Sequence, residues 1–335
     1  MGFHCIACNS GKSISHTMKD AKAGDLLSIA CCQSCGLVQL KDVPNELDLF
    51  EFYKSKYRIQ YRKQDRPSPK HVYRAGVQAI SRLKKIAPFI RKNTKLLDIG
   101  SGGGEFTYLA SCMGADASGI DPSSGYLEFG KNHYSINVEQ RQISQLEDTQ
   151  SYQIVTMFHV LEHLPNPLKV IRKVHQILKV GGLFVIEVPN LESKATSPFN
   201  HFFKAHICYF TSLSLIGLLK DNFSVEYIEN EDVIFLVCQK SNAKKFKRPS
   251  EYNPSAVSLA NSRLKYKNLK EYILNGGLFK IFKKIPGTIK ERYFSRSKEP
   301  KMILDSLYRV FKEITNGVSV TTKMILRMWL VAWSK

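Results

Sequence analysis

The feature that most restricts the fold of this chain is a glycine-rich turn at residues 100–104. It follows the apolar run KLLDI, which is typical of a strand, and precedes EFTYLASCM, which is typical of a helix. Glycine accepts backbone angles that other residues avoid, so such a turn lets the backbone approach a ligand closely. The dinucleotide fingerprint would place its third glycine at position 105, where Glu105 stands. A carboxylate at the start of this helix would repel a pyrophosphate, so the turn favours a nucleoside cofactor without phosphates over NAD.

Strand-like and helix-like runs alternate on both sides of this turn. A helix is expected from His71 to Ile90, and the runs DASGID, SGYLEFGKNHY, NVEQRQ and YQIVTMF follow the turn, before a helix from about Pro167 to Leu178 and the strand GLFVIEVP. This alternation predicts an α/β fold with a doubly wound, mostly parallel, Rossmann-like sheet. A further helix and two strands joined by a tight turn, FSVEYIENEDVIFLVCQK, predict a C-terminal antiparallel hairpin. That ending is unusual for a dinucleotide dehydrogenase.

Five of the eight cysteines lie in the first 35 residues. Cys5 and Cys8 form one C-x2-C pair, and Cys32 and Cys35 form another after 23 intervening residues. In a long intracellular chain this pattern favours metal over disulfides, and it predicts a structural zinc site with four thiolate ligands. Cys31 is an alternative ligand. The other interpretation is a group of reduced cysteines that pack as small apolar side chains.

Four segments divide the chain. We expect a zinc-binding module at residues 1–42, a connector at 43–70, the Rossmann-like domain at 71–241 and a basic helical extension at 242–335. With 335 residues, 43% of them hydrophobic, the chain can form one large core with smaller attachments. Neither an apolar run long enough to span a membrane nor a secretory signal is evident, so we expect a cytoplasmic protein.

Four motifs in order carry a family resemblance: DIGSGGGEF, GIDPS, FHVLEHLPNP and LKVGGLFVIEVPN. Over about residues 75–240 the sequence resembles the class I S-adenosylmethionine-dependent methyltransferase superfamily. The resemblance implies that the glycine turn holds the methionine part of the cofactor, that Asp121 holds its ribose, and that the residues after the third strand lie near adenine. The cofactor-binding residues that it implies are Asp98, Gly100, Gly102, Gly104, Asp121, Gln142, Ile143, Phe158 and His159. Asp98 could instead orient the loop without contacting the ligand.

The string HVLEH at residues 159–163 also matches the H-x-x-E-H signature of a class of zinc peptidases. That chemistry needs both histidines on one helix. Here His159 ends an apolar strand, so we expect the two histidines to diverge, and Pro165 and Pro167 interrupt any helix that follows. We therefore reject the peptidase interpretation. In the methyltransferase superfamily this motif lines the cleft for cofactor and substrate.

Methyl transfer to an alcohol or an acidic carbon needs a base, and histidine is the usual candidate. The candidates are His206, His159 and His163, with His206 preferred. The segment His-x-x-Tyr-Phe that begins at His206 resembles methyltransferases of polysaccharide and deoxysugar pathways. Some sugar C-methyltransferases with an N-terminal zinc module carry Tyr-x-Glu-His there, whereas this chain has Phe203, Lys204, Ala205 and His206. The difference favours O-methylation of a saccharide acceptor over C-methylation.

The net charge of +20 is concentrated in the last segment, because residues 240–335 contain 22 Lys and Arg against 6 Asp and Glu. Its amphipathic sequence suits attachment to the inner face of a membrane, or equally a helical subdomain that buries its apolar faces. The connector residues Tyr53, Tyr57, Arg58, Tyr61 and Arg62 could clamp a diphosphate, or they could form an exposed polar helix. The alternatives to a saccharide O-methyltransferase are an RNA methyltransferase, a quinone-type small-molecule methyltransferase and a binding protein without activity. No recognised RNA-binding module is present, so a nucleic-acid partner is disfavoured.

Overall fold

The computed structural model describes residues 2–46, 66–147, 149–193, 201–241, 253–265, 291–296 and 299–315, together with residues 49 and 273. These residues form a seven-stranded sheet and a separate four-stranded sheet. The connector residues named above lie outside this part of the chain, as do residues 274–290 and 316–335 of the basic extension.

The large sheet contains strands β4 to β8, β10 and β11. Its strands are β4 Lys95–Ile99, β5 Asp116–Asp121, β6 Asn137–Gln140, β7 Tyr152–Phe158, β8 Leu178–Pro189, β10 Phe223–Asn230 and β11 Val233–Lys240, in the spatial order β10, β11, β8, β7, β4, β5, β6. The pairs from β8 to β6 are parallel, and β11 runs antiparallel to both β8 and β10. The predicted α/β fold with a terminal hairpin is confirmed.

Helices cover both faces of this sheet. They are α1 Pro69–Ile86, α2 Glu105–Cys112, α3 Ser124–Tyr134, α4 Pro167–Ile177 and α5 Ser212–Leu219. Side chains of successive strand residues point to opposite faces, so Leu97 and Ile99 of β4 enter one buried cluster while Leu96 enters the other. The sheet thus has a hydrophobic core on each face, as its apolar strands require.

Helix α1 starts and ends at signals in its own sequence. The Ser68 hydroxyl accepts a hydrogen bond from the His71 amide at 3.3 Å, and Pro69 occupies the first turn. The helix begins two residues before the predicted His71 and ends at Ile86, not at Ile90. Residues 87–89 form a short 3-10 helix instead, because proline at position 88 has no amide hydrogen to donate.

The small sheet joins the N-terminal segment to the central domain. It contains β1 Ser13–Lys19, β2 Leu26–Cys32, β3 Val38–Leu40 and β9 Cys208–Tyr209, in that spatial order and antiparallel throughout. Strand β9 belongs to the loop that follows β8. The cysteine-rich segment therefore shares backbone hydrogen bonds with the loop that carries His206.

Two helices of the basic extension pack on the rest of the protein. Helix α6, Pro254–Lys265, buries its apolar residues beside β2, and helix α7, Pro300–Thr315, packs on α1 and α2. The approach of α7 is close, since a Cβ atom at Gly76 of α1 would lie 2.7 Å from Leu304. These two helices therefore bury apolar residues against the rest of the protein, as the helical-subdomain interpretation of the basic extension predicts. Within the described ranges, no helix combines the length and the apolar character that crossing a membrane requires.

Candidate active site

The glycine turn leads from β4 into α2. Gly102 has a φ of 56° and Gly104 a φ of 81°, in the left-handed region that favours glycine. The Gly102 amide faces the next strand, whereas Gly104 is the N-terminal cap of α2 and packs against Ile136. Gly100 and Gly102 border the large cavity described below, and Gly104 is absent from its lining. Gly104 therefore supports the conformation of the turn on its Ile136 side and does not line the cavity.

Asp121 ends β5, the strand beside β4. Its two carboxylate oxygens accept hydrogen bonds from the amides of Gly102 and Ser123, both at 2.9 Å. Because β4 and β5 are parallel neighbours, their carboxyl ends lie at the same edge of the sheet. The turn predicted to hold the methionine part of the cofactor and the carboxylate predicted to hold its ribose are thus linked by a hydrogen bond.

A cavity of about 810 Å³ opens at this edge of the sheet. Its lining includes eight of the nine residues predicted to bind the cofactor, namely Asp98, Gly100, Gly102, Asp121, Gln142, Ile143, Phe158 and His159. It also includes His163 and His206, the other two base candidates. The residues predicted to bind the cofactor and those predicted to act on the acceptor therefore share one space.

Asp98 is buried near the turn. The Thr156 hydroxyl donates a hydrogen bond of 2.6 Å to one of its carboxylate oxygens, and the Thr107 hydroxyl lies 3.5 Å from the other. Burial raises the pKa of Asp98 to about 7, although both threonines act in the opposite direction. Its hydrogen bonds to two core threonines support the interpretation that Asp98 organises the loop.

His159 follows β7 with a φ of 54° and connects two buried carboxylates. Its Nδ1 lies 3.4 Å from Glu162 and its Nε2 3.0 Å from Glu187, which also forms an ion pair of 2.5 Å with Arg82. Burial lowers the pKa of His159, but the two carboxylates outweigh it and raise the pKa to about 9. His159 is therefore protonated at neutral pH, and in that form it cannot accept a proton.

His163 and His206 lie next to each other and close to Glu162. Their ring centroids are 4.8 Å apart, and His163 Nε2 lies 3.8 Å from a Glu162 oxygen. Burial and the neighbouring His163 lower the pKa of His206 to about 3, so this ring is neutral and only weakly basic. His159 and His163 both approach the same Glu162 oxygen, so the expectation that they diverge is wrong. They are nonetheless not on one α-helix, because only residues 161–163 are helical, as a 3-10 turn.

Sequence reasoning missed the charged residues that hold these histidines. Glu187 interrupts the apolar strand GLFVIEVP, and Arg82 lies on α1 directly above the Phe158 ring, 4.4 Å from its centroid. A carboxylate within a buried strand is rare unless it is paired, so Glu187 was a visible signal. Glu162 was visible too, but only as part of a motif associated with another enzyme class.

The four predicted zinc ligands converge at the end of β2. The sulfur atoms of Cys5 and Cys35 are 3.6 Å apart and those of Cys8 and Cys32 3.5 Å apart, and all four lie within 4.8 Å of one another. Thiolates on one tetrahedral zinc, at about 2.3 Å from it, are separated by about 3.8 Å. The Ser34 amide points at the Cys32 sulfur at 3.4 Å, as in metal-binding cysteine turns. The donor set fits zinc.

Cys31 does not belong to this group. Its sulfur lies 3.8 Å from the Cys32 carbonyl oxygen, and its side chain is fully buried. Adjacent residues of a strand point to opposite faces, so Cys31 turns away from the cluster that Cys32 joins. Its role is packing.

Comparison with known proteins agrees with this geometry. Residues 71–225 match the family model described as "Methyltransferase domain". Ubiquinone biosynthesis O-methyltransferases of Glaesserella parasuis and Coxiella burnetii are 34% and 33% identical to the chain over 112 and 121 residues, which are 30% and 34% of it. These matches cover 48% and 52% of the two relatives, so the chain spans about half the length of the curated relatives it matches.

Two solved structures are among those that match this chain. Magnesium protoporphyrin IX methyltransferase from Synechocystis PCC 6803, with bound S-adenosylhomocysteine, is 14% identical with a TM-score of 0.46, over 59% of this chain and all of the other. A methyltransferase dependent on S-adenosylmethionine from Archaeoglobus fulgidus is 19% identical with a TM-score of 0.43, over 49% of this chain and 94% of the other. The family match covers residues 71–225, a little less than half of the chain, and these residues are similar to the methyltransferase domain that the family model describes.

Proposed function

We propose that the chain is an S-adenosylmethionine-dependent O-methyltransferase that acts on a hydroxyl of a saccharide linked to a nucleotide or lipid, in the synthesis of cell-surface polysaccharide. The observation that supports it most is the single cavity shared by the Gly102 turn, the Asp121 carboxylate and the histidines beside Glu162. A cofactor and an acceptor that must react need such a common space.

The end of the cavity near the turn suits a nucleoside without phosphates. Asp98, Glu105 and Asp121 all border it, and such a group of carboxylates would repel a pyrophosphate. Asp121 can accept hydrogen bonds from ribose hydroxyls through the remaining lone pairs of its oxygens. S-adenosylmethionine supplies a methyl group on a positively charged sulfur, and negative charge nearby favours its binding.

The acceptor end differs in character. His159, Glu162, His163 and His206 supply polar atoms there, and the cavity as a whole is also bordered by four cations: Arg141, Lys169, Arg172 and Lys173. Polar atoms match the hydroxyls of a sugar, and cations match the phosphates of a nucleotide or lipid carrier. The four-cysteine cluster would hold zinc as a structural element, since four protein ligands leave no coordination position open.

The cofactor assignment predicts a specific loss of binding when Asp121 is changed. Asp121→Asn replaces an acceptor with an amide donor opposite the amide of Gly102 or Ser123 and removes the negative charge. We expect calorimetry to show S-adenosylmethionine binding weakened by about 10- to 100-fold, the value of a charged hydrogen bond. Asp116→Asn, at the exposed opposite end of the same strand, is the matched control and should bind normally. Equal affinity in both variants would contradict the assignment.

A quinone-type acceptor is the second candidate, because the curated relatives are named for ubiquinone biosynthesis. Transfer of a labelled methyl group should be compared among nucleotide-linked sugars, an ortho-dihydroxylated aromatic and RNA. We expect labelling of the sugars, at least about tenfold above the aromatic, because the polar and charged side chains that line the cavity favour a polar substrate. Preferential labelling of the aromatic or of RNA would replace the saccharide with that acceptor.

A further inference from the structure

We propose that Glu162, His163 and His206 bind a divalent cation of the zinc class at the acceptor end of the cavity, where it would activate the hydroxyl to be methylated. The inference rests on the proposed O-methyl transfer and adds a metal to it. It is distinct from the four-cysteine cluster, which belongs to the N-terminal sheet. One ligand atom from each of the three residues lies within 4.8 Å of the others.

Glu162 is the first reason to place a cation here. Its side chain is only 1% exposed, and within the described part of the chain neither carboxylate oxygen has a hydrogen-bond partner. Its contacts are the histidine rings, at 3.4 Å for His159 and 3.8 Å for His163. A buried carboxylate is costly unless it is hydrogen-bonded, closely paired or bound to a metal. These contacts are too long to satisfy both oxygens.

The orientation of His163 is the second reason. Its Nδ1 lies 2.7 Å from the Ala205 carbonyl oxygen, which can only accept, so Nδ1 carries a proton. The other ring nitrogen, Nε2, faces a Glu162 oxygen at 3.8 Å. With Nδ1 engaged by the carbonyl oxygen, Nε2 is the atom that His163 can offer to a cation held together with Glu162. A backbone carbonyl that fixes the other ring nitrogen is also the usual support of a metal-binding histidine.

The backbone supports the same arrangement. The Ile207 amide donates a hydrogen bond of 2.7 Å to the Glu162 carbonyl oxygen, which ties the loop of His206 to the turn that carries Glu162 and His163. His159 stays outside the ligand set, because its Nε2 is engaged by Glu187 at 3.0 Å. Ligands bound to one zinc at about 2.0–2.2 Å must approach to about 3.5 Å, so side-chain shifts of about 1 Å would close the site.

Two histidines and one carboxylate leave a coordination position open, as in zinc sites that act on substrate. The acceptor hydroxyl would occupy it. Its O–H bond breaks with loss of the proton to solvent, the oxygen forms a bond to the methyl carbon, and the carbon–sulfur bond breaks with its electron pair remaining on sulfur. A cation at this position would activate the hydroxyl as a Lewis acid.

The test is metal binding by the full-length protein. Metal-free protein titrated with Co²⁺ is expected to bind two equivalents, one with the intense thiolate absorption of a four-cysteine site and one with only weak ligand-field bands. Glu162→Gln and His206→Gln should each lose the second equivalent and keep the first. His201→Gln, in the same loop but outside the cluster, should keep both, and zinc content after dialysis should follow the same pattern.

The outcomes separate this inference from the function on which it rests. One Co²⁺ equivalent in the wild type, with thiolate bands alone, would overturn the cation site, as would two equivalents in both Glu162→Gln and His206→Gln. S-adenosylmethionine affinity measured on the same samples should be close to that of the wild type in all of them, because neither Glu162 nor His206 is among the residues predicted to bind the cofactor. Loss of cofactor binding by the wild type would instead reject the proposed methyltransferase.

Discussion

Replacing Cys32 with serine is expected to release the loop that carries His206, although the two positions are far apart in the sequence. Cys32 ends β2, and β2 pairs with β3, which in turn pairs with β9 through Gln39 and Cys208. A zinc held by the four thiolates would fix the end of this sheet. Its loss should therefore disorder the edge on which the loop depends.

Three further hydrogen bonds join the described residues of this loop to the N-terminal segment. The Leu40 amide donates to the Ile207 carbonyl oxygen at 2.9 Å, the Ala21 amide to Phe202 at 2.8 Å, and the Lys204 amide to the Asp20 carboxylate at 2.6 Å. All three bonds join the loop to the N-terminal segment. Residues 201–210 are therefore held by this segment as well as by the hydrogen bonds of Ile207 to Glu162 and of Ala205 to His163.

Hydrogen exchange measures this dependence directly. In Cys32→Ser we expect the amides of residues 201–210 to exchange at least about tenfold faster, while strands β4 and β5 keep their protection. Methyl transfer to the acceptor should fall by about 100-fold, because misplacement of a reacting group by about 1 Å is enough for that loss. The affinity for S-adenosylmethionine should change little.

The adjacent Cys31→Ala variant is the control. Its side chain is buried but lies outside the four-cysteine group, so zinc content, loop protection and turnover should stay close to wild type. Equal effects of the two variants would mean that general packing of β2 is what matters. Unchanged hydrogen exchange of residues 201–210 in a zinc-free Cys32→Ser protein would show that the loop keeps its conformation without zinc in the N-terminal segment.

The sequence predicted features that neighbouring residues encode. It did not predict contacts between residues that are far apart in the chain. The run from Leu96 to Asp121 contains a strand, a glycine turn, a helix and a strand, each long enough to show its own periodicity, so their order was readable. Strand β9 has two residues, too few to carry any alternation. Its pairing with β3 joins positions about 170 apart in the chain, and no local pattern encodes such a contact.

The same reasoning applies within the cavity. HVLEH was visible, but its geometry depends on the φ of 54° at His159, a conformation uncommon for residues other than glycine, and this turns Glu162 back toward both histidines. His206 approaches because its loop is held both by the N-terminal sheet and by the hydrogen bond between Ile207 and Glu162. Asp121, by contrast, ends a regular strand next to β4, and its position was predictable from topology alone.

Replacing Glu187 with glutamine should lower the free energy of unfolding by more than the same replacement in a more exposed ion pair of helix α1. Glu187 is 7% exposed overall and faces Arg82 at 2.5 Å and His159 at 3.0 Å. Removal of its charge leaves the Arg82 guanidinium, whose side chain is only 12% exposed, without its partner on the sheet. Loss of one member of a buried ion pair typically costs about 3–5 kcal/mol, and we expect urea denaturation to show about 3 kcal/mol here.

A second ion pair on the same helix provides the comparison. Lys85 and Glu229 link α1 to β10 at 2.9 Å, but Glu229 is 32% exposed, so Glu229→Gln should cost at most about 1 kcal/mol. A double variant, Arg82→Met with Glu187→Gln, should be less destabilised than the sum of the two single variants, because neither charge is then left alone. Similar losses in Glu187→Gln and Glu229→Gln would mean that water reaches the Arg82 pair. In that case the electrostatic environment of His159 would be set by solvent and not by the buried carboxylates.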